Sequence, residues 1–237
     1  MSDLNVYTTS QINALTPITG DMVVDSDLNA VKLYDGAAWR TWNSDSVAGG
    51  FENRWGASFD GTDDYVAADI TLPTGDFTYE AWIKLDTTSS EVILSSPGNT
   101  TLGTNPNELL IMIESNGLKV FVHGVREIYK SWPTDGGWHH LAVSRSGSEI
   151  IAYRNASVVG TATGGTTLNF GSCPLLIGTE ADSGCTGSLG NWLDGKMDEA
   201  RIWSEARTQT EILTSMNTEL IGNEAGLVAY YKFNEPD

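Results

Sequence analysis

The sequence predicts an all-β protein: a two-sheet antiparallel jelly-roll sandwich with one short C-terminal helix, preceded by a small N-terminal β-hairpin or meander arm. Three observations predict it. Short segments alternating between apolar and polar residues recur from Phe51 onward. Gly, Asn, Asp or Pro separates most of them, which is turn chemistry at strand spacing. No run of helical period intervenes until close to the C-terminus. The 237 residues include 25 Gly and 8 Trp and are 40% apolar, enough to fill a sizeable core.

Two parts are expected, an arm over residues 1–48 and a sandwich over residues 49–237. The polar lead SDLNVYTTSQINALTPITG holds a short turn of helix before Pro17 and Gly20. Three strands follow, Met22–Val24, Ala30–Tyr34 and Trp39–Trp42, with Asp25–Asn29 and Asp35-Gly36 as turns. A meander this small buries too little apolar area to stand alone, so it is expected to pack on another subunit, on the main domain or on a larger assembly. Ser44–Gly50, SDSVAGG, reads as a linker.

The strands of the second part are ASFDG (57–61), DYVAADI (64–70), FTYEAWIKLD (77–86), EVILSS (91–96), ELLIMIES (108–115), LKVFVHG (118–124), WHHLAVSRS (138–146), EIIAYRN (149–155), SVVGTAT (157–163), CPLLIGTE (173–180), KMDEARIWS (196–204) and LVAYYKFN (227–234). One helix is expected at Gln209–Met216. Thr208 and Glu211 form the T-x-x-E box that satisfies its first free N–H groups.

Charge narrows the partners. With 31 acidic and 13 basic residues the net charge is −18, which repels phosphate backbones and anionic membrane surfaces. Nucleic acid and membrane are therefore excluded as expected partners. No stretch approaches the roughly 20 apolar residues of a membrane-spanning helix. The start, MSDLNVYTTSQINAL, lacks a basic segment followed by an apolar one, so no secretory signal is read there. Cys173 and Cys185 bracket one loop; two cysteines make no disulfide framework, and their pairing stays open.

From about Trp55 to the C-terminus the chain resembles laminin-G-like, concanavalin-A-like jelly rolls, including their pentraxin branch. The motifs that carry the resemblance are SFDGTDDYV (58–66), DFTYEAWIKL (76–85), GWHHLAVSRSGSEIIAYRNASVVG (137–160), LLIGTE (175–180), LDGKMDEARIWSEARTQTEI (193–212) and GLVAYYKFNE (226–235). One departure is Asn155-Ala156, where the family usually has Asn-Gly. The segment ITGDMVVDSDLNAVKLYDGAAWRTW (18–42) resembles attachment segments of tailed-bacteriophage virion proteins.

Several residues are candidates for chemistry. Asp194, Asp198, Glu199 and Glu205 crowd together with Arg201 and Arg207. A retaining glycosidase needs two carboxyl groups about 5–5.5 Å apart. In glycosidases of the resembled fold these alternate along one strand as E-x-D-x-x-E or E-x-D-x-E, a pattern this chain lacks. Asp198 and Glu199 are adjacent, and adjacent strand side chains point to opposite faces. They therefore cannot form a shared acid/base pair and no catalytic residue is expected; the family resemblance implies a scaffold role for them, closing the last long strand and orienting Arg201. The pair His139-His140 diverges for the same reason, and His123 has no convergent partner in view, so a metal or acid–base role is not expected.

The pentraxin resemblance implies a calcium set, Asn107, Glu180 and Asp182, from NPNELLI (105–111) and IGTEADSG (177–184). Oxygen donors of this kind suit Ca²⁺, although Pro106 stands where the family's loop carries an Asp. DGTDD (60–64) looks like a calcium loop and is read as the turn after the first sandwich strand. Trp132 and Trp192, in loops, are candidates for stacking on sugar rings.

The expectation from these readings is a non-enzymatic structural protein on the virion surface of a tailed bacteriophage, assembled in the host cytoplasm. It would be a capsid decoration (cement) or head-fibre protein. Val23, Leu33, Tyr34, Trp39 and Trp42 of the arm would dock on the major capsid protein or another virion protein. A homotrimer is the expectation by analogy. The alternative is a carbohydrate-binding adhesin or tail-fibre tip recognising cell-surface glycans.

Overall fold

The computed structural model describes residues 6–7, 9–16, 22–25, 30–34, 39–42, 56–68, 70, 72–97, 107–122, 125–163, 173–181 and 188–233. The chain divides into two compact units, Met1–Glu52 and Asn53–Asp237.

The first unit is a four-stranded sheet with a short helix. β1 (Val6–Tyr7) pairs in parallel with β2 (Met22–Asp25), which continues antiparallel to β3 (Ala30–Tyr34) and β4 (Trp39–Trp42). α1 (Thr9–Ile12) carries the buried Ile12. The meander expected from sequence is present, and β1 adds a fourth strand to it. Register pairs Val23 with Lys32 and Tyr34 with Trp39, whereas Leu33 meets Arg40 and Val31 meets Trp42. The side chains of the proposed docking residues Val23, Leu33, Tyr34, Trp39 and Trp42 lie outside what the structure describes.

The second unit is built from β5 (Ala57–Asp60), β6 (Val66–Ala68), β7 (Phe77–Leu85), β8 (Ser90–Pro97), β9 (Asn107–Glu114), β10 (Gly117–Val122), β11 (Val125–Ser131), β12 (Trp138–Ser146), β13 (Glu149–Arg154), β14 (Ser157–Thr163), β15 (Leu175–Ile177), β16 (Glu180–Ala181), β17 (Leu189–Gly190), β18 (Asp194–Trp203), α2 (Gln209–Ser215) and β19 (Leu227–Tyr231). One sheet runs β11-β10-β9-β8-β15-β6 and the other β14-β13-β12-β7-β18-β19, with β5 also on β18; β16 and β17 form a separate pair. All these pairings are antiparallel. This is the predicted jelly-roll sandwich.

Period-two alternation fills the space between the sheets. Phe77, Tyr79, Ala81, Ile83 and Leu85 of β7 join Ile111 and Ile113 of β9, Leu118 and Val120 of β10, and Leu141 and Val143 of β12 in one core. Apolar burial of this kind is the main force holding the sheets together. The other face of β7 carries Thr78, Glu80 and Trp82, also buried. That second burial comes from α2 and the chain after it: the Trp82 indole donates to the Met216 carbonyl at 2.7 Å. Thr208 caps α2 by accepting from the Glu211 N–H while the Glu211 carboxylate accepts from the Thr208 N–H, the expected capping box.

Two turns resolve details of the resemblance. Asn155 and Ala156 both take positive φ, 49° and 59°, as a two-residue type I′ hairpin requires. Ala156 thus adopts the conformation that Asn-Gly would take without strain, and the Asn155 side chain steadies it by accepting from the His140 N–H at 2.8 Å. Gly195 lies inside β18 at φ 151°. A Cβ there would stand 2.2 Å from the Lys84 carbonyl oxygen, so glycine lets β18 lie against β7.

Candidate functional site

Four loops of the second unit meet along one rim. The Asp60–Asp64 turn is tied internally, the Asp60 N–H donating to Asp64 Oδ2 at 3.0 Å and the Thr62 N–H to Asp60 Oδ1 at 2.9 Å. It is joined to the 188–194 loop by the Gly61 N–H, which donates to the Leu193 carbonyl at 2.9 Å. That loop is held in turn by the Leu193 N–H on the Gly178 carbonyl (2.9 Å) and by the Asn191 carbonyl, which accepts from the Val92 N–H (3.0 Å). Asn191 has φ 51°, a left-handed conformation that Asn tolerates better than most residues. Glu91 anchors the β7–β8 turn to the same place, accepting from the Asp194 N–H at 2.9 Å and from the Thr87 hydroxyl.

Acid and aromatic groups collect on this rim. Carboxylate oxygens of Asp60, Asp63 and Asp64 lie within 4.8 Å of one another, and all three residues are exposed. Oxygen donors so placed can hold a hard cation such as Ca²⁺. Asp60 stands directly opposite Asp194 in the β5–β18 register, a like-charged cross-strand pair. The Asp194 carboxyl is raised above its ordinary range by partial burial, then by Asp86, Glu91 and Asp60. Beside these groups the rings of Tyr65 and Trp192 lie 5.9 Å apart at 55°; Tyr65 is exposed and Trp192 half-buried.

A second group of carboxylates lies under α2. Glu80, Asp198, Glu199 and Arg201 are all buried. Arg201 donates to Glu199 Oε2 at 2.6 Å and to the carbonyls of Ser215 (3.0 Å) and Thr218 (2.6 Å), and stands 3.5 Å from Glu80. The Tyr230 hydroxyl lies 2.6 and 2.7 Å from the two Glu199 oxygens, and the Trp203 indole donates to Glu80 at 2.9 Å. Burial raises the Glu80 carboxyl, with Arg201, Arg207 and Trp203 pulling the other way. Burial pushes Asp198 up to about 7 against the pull of the Glu199 backbone N–H. His140, 3.6 Å from Glu80, is held down to about 3 by burial and by Arg201, so the imidazole is neutral.

Two expectations need correction here. Asp198 and Glu199 do not diverge as regular strand neighbours. β18 carries a bulge between Asp198 and Arg201 at which Glu199 takes φ 51°; the extra residue breaks the alternation and turns Glu199 onto the face where Arg201 lies. Glu199 thus pairs with Arg201, as the scaffold reading of this stretch expected. Trp132 follows the end of β11 and folds back into the core, 3% exposed and edge-on to His139. A ring so enclosed offers no face to a sugar, and Trp132 leaves the carbohydrate set.

Of the calcium set, Glu180 is half-buried and takes the Asn191 side-chain amide at 2.5 Å. The Asn107 side chain and Asp182 lie outside the described residues. Cys173 is disulfide-bonded, and the chain has one other cysteine, Cys185. His139 takes a different side from His140, with Nε2 at 2.9 Å from Asp135 Oδ1. Sequence reasoning missed Tyr65 as a site residue. Its signal was an aromatic at the end of an acidic turn, DGTDDY (60–65).

A twisted two-sheet sandwich with loops gathered on one rim is the architecture of lectin-type jelly rolls. The chain belongs to the Concanavalin A-like lectin/glucanases superfamily, whose family model matches residues 60–213. Among solved structures, a Bacteroides ovatus protein assigned a carbohydrate-binding role is 19% identical with a TM-score of 0.61, over 76% of this chain and 52% of that one. The chain thus spans about half the length of that relative. The heptameric SAP-like pentraxin of Limulus polyphemus is 19% identical with a TM-score of 0.58, over 75% of this chain and 91% of that one. The CBM40 module of the Ruminococcus gnavus IT-sialidase, bound to α2,3 sialyllactose, is 9% identical with a TM-score of 0.53, over 67% and 95%. No curated protein sequence matches the chain.

Proposed function

We propose that this protein is a non-catalytic carbohydrate-recognition module whose binding surface is the loop rim of the sandwich. The observation that carries the reading is the family membership over residues 60–213, combined with where the carboxylates lie. Those of β18 that a glycosidase would need open to substrate are sealed under α2, with Asp198 at 1% and Glu199 at 3% exposure. The open carboxylates sit beside an aromatic pair on a rim, an arrangement suited to binding. The likeness to carbohydrate-binding proteins at 9–19% identity supports the fold, and the sugar reading is ours. Screening the full chain on a glycan array tests it; failure to bind any glycan overturns it.

A second reading, which the separate compactness of Met1–Glu52 favours, concerns where the module is mounted. The four-stranded first unit is the attachment device, and its partner is the major capsid protein or another protein of a bacteriophage virion, with the chain trimeric as decoration proteins often are. Incubation with virus particles stripped of this protein tests it. The full chain is expected to rebind, and a chain lacking residues 1–48 to remain free.

A further inference from the structure

We propose that Tyr65 and Trp192 form a stacking seat for a glycan that carries no acidic group, and that the carboxylates around them reject sialylated and uronic glycans. This rests on the carbohydrate-recognition reading and specifies its ligand class.

The two rings meet at 55° with centroids 5.9 Å apart, so they make an open corner, with one ring able to lie under a sugar face and the other along its edge. Tyr65 is 45% exposed. Tyr129, also an exposed tyrosine at 51%, has a different task. Its hydroxyl donates to the Glu114 carbonyl at 3.1 Å, and its ring covers Gly117, where an added Cβ would lie 2.5 Å from it. Tyr129 therefore spends its ring on the backbone of a hairpin, whereas Tyr65 presents its ring beside Trp192.

The seat is built before any ligand arrives. Tyr65 follows a turn fixed by the Asp60 and Asp64 side chains. Trp192 lies between Asn191 and Leu193, both anchored through their backbones to Val92, Gly178 and Gly61. Rings carried on such loops lose little freedom on binding. Tyr and Trp offer large apolar faces with a polar handle, which suits the C–H face of a pyranose.

The polar groups beside the seat decide the class. Asp60, Asp63 and Asp64 converge within 4.8 Å, and Asp194 stands opposite Asp60. Ionised carboxylates only accept hydrogen bonds, and sugar hydroxyls can donate to them with charge assistance. A carboxylate on the ligand meets like charge instead, on a chain of net charge −18, and is repelled.

The test uses the full chain on an array of matched neutral and sialylated oligosaccharides, lactose and α2,3-sialyllactose among them, with N-acetylglucosamine oligomers and uronic-acid polymers. The strongest neutral oligosaccharide is then titrated calorimetrically into wild type, Tyr65→Ala, Trp192→Ala, Trp192→Phe and Asp63→Asn. Neutral members are expected to bind above their sialylated partners. Each alanine variant should weaken binding about tenfold or more, and Trp192→Phe should retain most of it. Asp63→Asn should narrow the neutral-over-sialylated ratio, as should added salt. If glycans bind but Tyr65→Ala and Trp192→Ala both leave affinity at the wild-type value, or lose it no differently from a folded variant elsewhere on the rim, the seat is wrong. If sialylated members bind best, the charge rule is wrong. In both cases the carbohydrate reading survives. If nothing on the array binds, both fall together.

Discussion

Beneath α2, Glu80, Asp198 and Glu199 share a sealed space with Arg201, while at the rim Asp60, Asp63 and Asp64 face solvent. The sealed group is organised by hydrogen bonds from Arg201, Tyr230 and Trp203. The rim group is tied to its own turn and set opposite another carboxylate, Asp194. The same side chain therefore does scaffold work in one place and stays open to a partner in the other. What separates the two roles is access to water, since a buried charge must be paired and an exposed one need not be.

The largest effect should come from breaking the sealed group. Arg201→Leu leaves Glu199 and Glu80 buried without their cation, and a loss of about 3–5 kcal/mol is expected, read from urea unfolding. Asp63→Asn on the rim should change stability by no more than about 0.5 kcal/mol in the same assay. Equal losses in the two variants would mean that burial does not divide the carboxylates as described.

A pH series sharpens the contrast next. Asp198 rises from an ordinary value of 3.8 to about 7 in the folded chain, so the folded state holds its proton more tightly than the unfolded state. This stabilisation is fully present below about pH 4 and is lost as pH rises through about 7. The change contributed by this one group is on the order of a few kcal/mol. Unfolding midpoints at about pH 5 and about pH 8 should therefore differ more in wild type than in Asp198→Asn. An unchanged slope in the variant would remove Asp198 as the cause.

How much of this was legible beforehand varied with the range of the interaction. The capping box of α2 is local, T-x-x-E over four residues, and Thr208 with Glu211 was found where the sequence placed it. The sandwich strands were legible from period-two alternation and their turns. β11 was missed: it is an edge strand, and VREIYKS shows no clear alternation, with Ile128 buried and both Tyr129 and Lys130 exposed. The bulge at Glu199 left no mark because it needs positive φ, for which Glu carries no signal. Trp132 read as a loop aromatic, and its sequence gives no sign that the chain folds back over the core. The Tyr65–Trp192 corner depends on strands far apart in the chain pairing as β5 and β18, a long-range contact that no local pattern reports.

The cover over the sealed group can be loosened from its end. Thr208→Ala removes the side-chain oxygen that accepts from the Glu211 N–H, and about 1 kcal/mol of stability should go with it. If α2 is the cover, hydrogen exchange should quicken at the backbone N–H of Ile212 and Met216, which close the helix onto Thr208 and Ile212. Rim amides such as Gly61 should be unaffected.

The smallest effect has the opposite sign. Asp60 and Asp194 stand directly across from each other, and like charges in that relation destabilise a sheet by roughly 0.2–1 kcal/mol. Asp194→Asn keeps the shape and the backbone bond to Glu91 while removing one charge, so it should stabilise the fold slightly. The gain should be largest at low ionic strength and shrink as salt screens the pair. Urea midpoints for wild type and Asp194→Asn at low and high salt measure it. A loss at low salt would show that the Asp194 carboxylate is engaged by a favourable partner, and the rim would then resemble the sealed group more closely than its exposure suggests. A gain that fades with salt would mark the rim as a place where the fold tolerates repulsion, as a surface kept for a ligand does.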